Sequence, residues 1–234
     1  DAVSQMNHMS SSTFQIPRNL MQTSKAALHS ADREKIQRMI GAEISYRHFD
    51  DDAAMNFLSR HGVGELTGVL DRFQSLSAGE HKADLFRYFY LYIKGGVYLD
   101  MDVYVSGDLN DILGDAEFLS VSSVHVTKSL FQGVLAARAG HPILKRAIMD
   151  VLSISNRQLK EDHHLLCRNL LIFTQDYCRE NSDHRVRLLQ EKRYRKKVAA
   201  VHRDDGKLIM RHYWRRDLPP FNPIRRFIYD LTSI

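Results

Sequence analysis

Lys82–Val105, KADLFRYFYLYIKGGVYLDMDVYV, is the stretch on which the reading of this chain turns. Ala83 to Ile93 runs without Gly or Pro, and Phe86, Phe89, Tyr90 and Ile93 recur at i, i+3, i+4 and i+7, the spacing of one helix face. Lys94-Gly95-Gly96 then reads as a turn, because glycine stops a helix and adopts positive φ at little cost. Val97 to Val105 alternates, with Val97, Leu99, Met101, Val103 and Val105 on one face and Tyr98, Asp100, Asp102 and Tyr104 on the other, which predicts a strand. A regular strand sets both carboxylates on one side, roughly 7 Å apart at Cα. Two like charges on one face weaken a strand, and a divalent cation between them removes the repulsion. Asp84 and Arg87 lie on one helix face. On spacing alone they read as a surface ion pair worth ~0.2–0.5 kcal/mol.

Upstream, Phe14–Thr23 (FQIPRNLMQT) is an apolar first strand introduced by a proline. Ser30–Ile40 reads as a helix with Ser30 as N-cap, Glu43–Phe49 as a short strand, and Asp50–Asp52 as the opening of a helix that runs through Arg60 and is closed by Gly62. The three aspartates are a cap and a match to the helix dipole, not a metal site. Leu66–Leu76 is a further predicted helix. Downstream, Asp108–Leu113 reads as a short helix or turn and Glu117–Val121 as a strand, with helices over Ile143–Leu152 and Gln158–Asp176. Strands alternating with helices argue for a largely parallel sheet with flanking helices, whose ligands sit at the carboxyl ends of the strands. Asp100 and Asp102 fall late in their strand, where such a crevice opens.

The ordered block of an Asp-x-x-Arg helix, a Gly-Gly turn and an Asp-x-Asp strand end resembles the sugar-transferase signature of glycosyltransferase family 32. More distantly it is similar to the catalytic domain of the large clostridial glucosylating toxins. The residues carrying the resemblance are Ala83, Asp84, Arg87, Tyr88, Leu91, Tyr92, Gly95, Gly96, Tyr98, Asp100 and Asp102. Ile16, Pro17, Gln22 and Thr23 are similar to the family's opening, with Met21 where the family has a histidine. Phe131–Ala137 and Gly140-His141-Pro142 resemble its later run, with Gln132 in place of the usual asparagine, and Arg211–Trp214 resembles its late His…Trp region.

The resemblance implies an α/β fold of the GT-A type, a mixed, largely parallel sheet flanked by helices with additional C-terminal helices. It implies a hexosyltransferase that moves a sugar from a UDP- or GDP-sugar to a hydroxyl of a glycan or glycoconjugate acceptor. Donor contacts fall to Gln22, Thr23, Asp84, Arg87, Tyr98, Asp100 and Trp214. Asp102 is then a direct ligand of Mn²⁺ or Mg²⁺, with Asp100 and His212 as its partners. A hard cation held by carboxylates stabilises a diphosphate leaving group without any proton transfer. Glu161, Asp162, Asp176, His163 and His164 are available as a base, but no spacing selects one, and no catalytic residue is assigned.

A length of 234 residues suits one sizeable domain, read as 14–234 behind a polar, aperiodic 1–13 that is a disordered leader or a cloning remnant. No apolar run approaches the ~20 residues of a membrane span, and no signal-peptide core is visible. A cytoplasmic enzyme is the expectation, with a lumenal catalytic domain freed of its anchor as the alternative. Cys167 and Cys178 fit neither a disulfide framework nor a zinc pattern and read as free thiols, which favours a reducing compartment. The net charge of +5 is concentrated in His184–Arg216, with twelve Lys or Arg against three acids. That segment reads as a solvated basic face, or as an attraction for donor phosphates, an anionic acceptor or a membrane surface. Nucleic-acid binding through the same segment, with Tyr194, His202, Tyr213 and Trp214 interleaved, is the alternative function. No RNA or DNA motif accompanies it, and a nucleic-acid partner is not expected.

Overall fold

The computed structural model describes residues 16–25, 27–40, 42–195, 198–202 and 205–213. The expected leader at 1–13 and Trp214 lie outside them. Among the described residues nine strands form one mixed sheet: β1 (Asn19–Thr23), β2 (Ser45–Phe49), β3 (Gly96–Leu99), β4 (Val103–Val105), β5 (Phe118–Ser122), β6 (Leu130–Ala137), β7 (Val186–Arg195), β8 (Val198–His202) and β9 (Leu208–Tyr213). Their spatial order is β2-β1-β3-β6-β5-β7-β8-β9-β4. The pairs β1–β2, β1–β3 and β5–β7 are parallel and the rest antiparallel. Eight α-helices among the same residues flank it: α1 (Ser30–Ile40), α2 (Asp51–His61), α3 (Val69–Ser75), α4 (Gly79–Lys94), α5 (Leu109–Leu113), α6 (Pro142–Ser153), α7 (Asn156–Glu161) and α8 (Leu165–Glu180). Among the described residues no helix is long and apolar enough to cross a membrane.

One apolar cluster packs α2, α3, α4, α6 and α8 on one face of the sheet, with Phe49, Phe57, Phe86, Phe89 and Tyr90 in edge and tilted ring contacts. A second cluster on the other face gathers Leu20, Val97, Leu99, Ile112, Leu189 and Ile209. Helix α4 is the centre of the first. Every residue from Asp84 to Leu91 on it is buried, so it behaves as a core helix and not as an amphipathic surface one. Gly95 and Gly96 end it at φ 65° and 111°. A Cβ on Gly95 would meet the Pro17 ring at 2.7 Å, and one on Gly96 the Asn19 carbonyl oxygen at 2.6 Å. Both positive φ and close approach thus demand the pair.

Several expectations need correction. The single strand over Val97–Val105 is two strands, because β3 stops at Leu99, where its pairing with β6 ends at Val134. A turn closed by Val103 N–H donating to the Asp100 carbonyl (3.0 Å) carries the chain away into β4, which pairs with β9. The carboxylates of Asp100 and Asp102 therefore stand on a turn and not on one strand face. The helix over Leu66–Leu76 is a 3-10 turn (Gly64–Leu66) followed by α3, since Gly68 between them sits at φ 90°. Gln158–Asp176 is two helices, because the Asp162 carboxylate accepts from His164 N–H (3.1 Å), ending α7 and opening α8. The Asp50 cap stands as read, its side chain accepting from Ala53 N–H at 2.8 Å. Cys167 and Cys178 are free, and both lie on α8. Eleven helical residues separate them by ~16 Å, far beyond disulfide reach.

Candidate active site

The turn between β3 and β4 lies where the far end of the sheet curls back on its middle. Among the described residues strand β4 pairs only with β9, yet it begins a few residues after β3, so β9 is brought beside the turn that carries Asp100 and Asp102. The carboxyl ends of the parallel strands β1 and β3 open on the same side. Between them is a cleft of about 1260 Å³, lined by Thr23, Asp84, Arg87, Asp100, Asp102 and His212 among others. Of the described expected site residues, only Gln22 is not part of its wall. Period two turns Gln22 to the opposite face of β1, where its amide donates to the Asp100 carbonyl (3.4 Å) and accepts from the Tyr46 hydroxyl (3.1 Å).

Asp84 and Arg87 are no surface pair. Both are nearly fully buried on α4, with Arg87 Nη2 at 3.5 Å from Asp84 Oδ1 and also 3.5 Å from Asp100 Oδ1. The guanidinium also donates to the carbonyls of Gln132 (2.6 Å) and Ala83 (3.1 Å) and lies over the Tyr98 ring at 4.1 Å. Burial alone would lower the Arg87 pKa, but Tyr98, Asp100 and Asp84 more than offset it and hold the cation protonated. Burial raises Asp84 above the usual carboxylate range against the pull of Arg87. Tyr98 is raised well above the ordinary phenol by burial. Its hydroxyl donates to Asp100 Oδ1 at 2.5 Å, so Thr23 Oγ1, at 3.1 Å, is the donor of its own contact with that oxygen. One oxygen of Asp100 is thus clamped by Tyr98 and Arg87. The other lies where a Cβ on Gly133 would come within 2.6 Å, so this glycine makes room for the carboxylate.

Asp102 is more open, its side chain about a third exposed, with Oδ2 at 3.8 Å from His212 Nε2. His212 is buried and stacks on Phe131 (centroids 4.1 Å, 23°). Its Nδ1 lies 3.3 Å from Glu191 Oε1. Among the described residues no three carboxylate, imidazole or thiol groups close into a metal cage. The donor set nonetheless fits a cation shared with a ligand. Asp102 and His212 offer one oxygen and one nitrogen to an open cleft, and Asp100 stands behind them. Carboxylates with an imidazole suit Mn²⁺ better than Mg²⁺, which prefers oxygen alone.

Two residues on this wall have no signal in the sequence: Glu191, 1% exposed within a basic strand, and His81, buried on the first turn of α4. Gln132 has both amide atoms buried beside the cleft, with no hydrogen-bond partner among the described residues. Such a group carries a desolvation cost that a bound polar ligand removes. Cys167 also lines the wall, and burial pushes its thiol up to about 12, which disfavours the thiolate.

Residues 20–119 match the family described as glycosyltransferase sugar-binding region containing DXD motif. An uncharacterized glycosyltransferase of Acanthamoeba polyphaga mimivirus is 33% identical over 96 residues, 41% of this chain and 37% of the viral protein. The matched part is therefore little more than a third of that relative. Among solved structures, the PaToxG glycosyltransferase aligns at a TM-score of 0.48 with 15% identity, covering 71% of this chain and 70% of its own.

Proposed function

We infer, from a chain whose residues 20–119 carry a glycosyltransferase sugar-binding region of the DXD type, that this protein transfers a sugar from a nucleotide-diphosphate donor. The observation that carries the reading is the convergence of Asp84, Arg87 and Asp100, with 3.5 Å between their charged atoms, at the carboxyl ends of β1 and β3. Asp84 and Arg87 hold the donor sugar from the floor of the cleft. Asp84 accepts from sugar hydroxyls, and the fixed Arg87 cation faces the developing negative charge of the leaving diphosphate, a preorganised electrostatic contact that needs no reorientation during reaction. Thr23 and Tyr98 set the depth at which the nucleoside sits and keep Asp100 aimed. Asp102 and His212 would hold a divalent cation, Mn²⁺ by preference, with Asp100 beside them. Such an ion supplies Lewis-acid stabilisation of the departing phosphate oxygens. A volume of about 1260 Å³ exceeds the roughly 300–1,000 Å³ of a single-ligand pocket, leaving space for a glycan or glycoconjugate hydroxyl beside the donor.

The test is a thermal-shift series with UDP- and GDP-sugars, with and without Mn²⁺, on the wild type and on Asp102→Ala. A donor at about 100 times its Kd stabilises by roughly 2.7 kcal/mol, or some 5–10 °C for a domain of this size. The expected result is a Mn²⁺-dependent shift with one nucleotide class that disappears in Asp102→Ala. A shift indifferent to Asp102, or none with any donor, overturns the reading.

A further inference from the structure

Glu191 is a buried carboxylate that the donor chemistry above leaves unused. It lies in β7 where that strand leaves β5, its partner up to Gln190, and takes up β8, which pairs from Glu191 onward. A buried anion in such a place is costly unless its charge is met by donors. Val124 N–H donates to Oε2 at 3.0 Å, and His212 Nδ1 faces Oε1 at 3.3 Å. The imidazole is held flat by Phe131 on one ring face. Its strand position opposite Val103 sets it beside the residue that follows Asp102. Its two nitrogens therefore look in opposite directions, Nδ1 into the protein at Glu191 and Nε2 into the cleft, 3.8 Å from Asp102 Oδ2, which is beyond direct hydrogen-bond length.

We propose that Glu191 is a positioning residue of the cation site: its buried carboxylate holds the His212 imidazole as the Nδ1–H tautomer and presents Nε2 to a divalent ion shared with Asp102. The assignment rests on the metal-dependent reading given above. The physical reason is general. An imidazole ligates through a lone pair, and the hydrogen bond made by its other nitrogen decides which nitrogen carries it, fixes the ring plane and raises the basicity of the ligand. Without the carboxylate, the ring is free to place its proton on Nε2 and donate to Asp102, which removes the lone pair from the cleft.

The experiment is direct Mn²⁺ binding, read from the loss of the free-ion EPR signal, in the presence of UDP. It uses the wild type, Glu191→Gln, His212→Ala, the double variant and Asp102→Ala, each also melted without metal. Glu191→Gln keeps shape and a Val124 acceptor, so folding is preserved. The expected result is a 10–100-fold weaker Mn²⁺ affinity in Glu191→Gln at an unchanged melting temperature. In the His212→Ala background the same substitution costs nothing further, a dependence that a merely structural role would not produce. Asp102-dependent binding that Glu191→Gln leaves intact, or an equal loss with and without His212, overturns the assignment and leaves the cation reading standing. Wild-type protein that binds no Mn²⁺, or binds it equally in Asp102→Ala, overturns both.

Discussion

Removing the Arg87 side chain tests the electrostatic account of the cleft floor most directly. The guanidinium is 6% exposed and is the one cation within 4.0 Å of Asp84 among the described residues, at 3.5 Å from both Asp84 and Asp100. Arg87→Ala leaves the buried Gln132 carbonyl without its guanidinium donor and a buried carboxylate without its cation. Breaking one side of a buried pair in this way costs about 3–5 kcal/mol. For a chain of this size that is a fall in melting temperature of roughly 6–20 °C. Two controls make the number diagnostic. In an Asp84→Asn background the charge is already gone, so Arg87→Ala costs less there, with a coupling of about 1–3 kcal/mol. The penalty also depends on pH. Asp84 has a folded-state pKa raised above its unfolded value, so it favours folding when protonated and opposes it as pH rises through the raised value. Losing Arg87 raises it further. The deficit relative to wild type is therefore largest at pH 8 and shrinks towards pH 5. The assay is urea denaturation of the four proteins at both pH values. A deficit under 1 kcal/mol, or one of equal size in both backgrounds and at both pH values, refutes the claim that Arg87 neutralises a buried acid.

Gly133→Ala forces a methyl to within 2.6 Å of Asp100 Oδ2 and 2.2 Å of the Phe131 ring. It is expected to cost about 1–3 kcal/mol in urea and to weaken Mn²⁺-dependent donor binding together with it. A variant of wild-type stability and affinity would show that the turn yields freely. His48 and His141 are both held down to about 4 by burial. A depressed histidine contributes stability above its unfolded pKa of 6.5 and loses it as pH falls towards 4, by at most ~3 kcal/mol each at 1.36 kcal/mol per pH unit. Protonation of His141 would also remove the bond that its Nδ1 accepts from Ile143 N–H at the start of α6. Denaturation between pH 7 and pH 4 should show the fall, reduced in His141→Asn, whose side chain still caps the helix. A flat profile would contradict it.

Local chemistry makes much of this protein legible in its sequence. The helix with Ser30 first, the Asp50 cap, the Gly-Gly stop and the Asp-x-x-Arg face depend on neighbours three or four residues away, and those neighbours are written consecutively. What misleads is also local. The alternation across Val97–Val105 is a sound strand pattern, yet the chain breaks inside it: after Asp100 N–H reaches the Gly133 carbonyl (2.8 Å), the turn closed by Val103 N–H on the Asp100 carbonyl carries the chain off β6 and onto β9.

Asp84, Arg87, Asp100 and Asp102 were readable as a group from the chain alone, because they sit in one continuous block whose helix and turn are locally encoded. How they act together depends on packing and strand pairing far from that block. Arg87 became a buried counter-ion because α4 is enclosed on all sides, and Glu191 and His212 joined the site because β4 pairs with β9 across more than a hundred residues of chain. Strand pairing at that distance leaves no periodic trace in sequence. A buried glutamate in a basic strand therefore looks like one more surface charge until the sheet is closed.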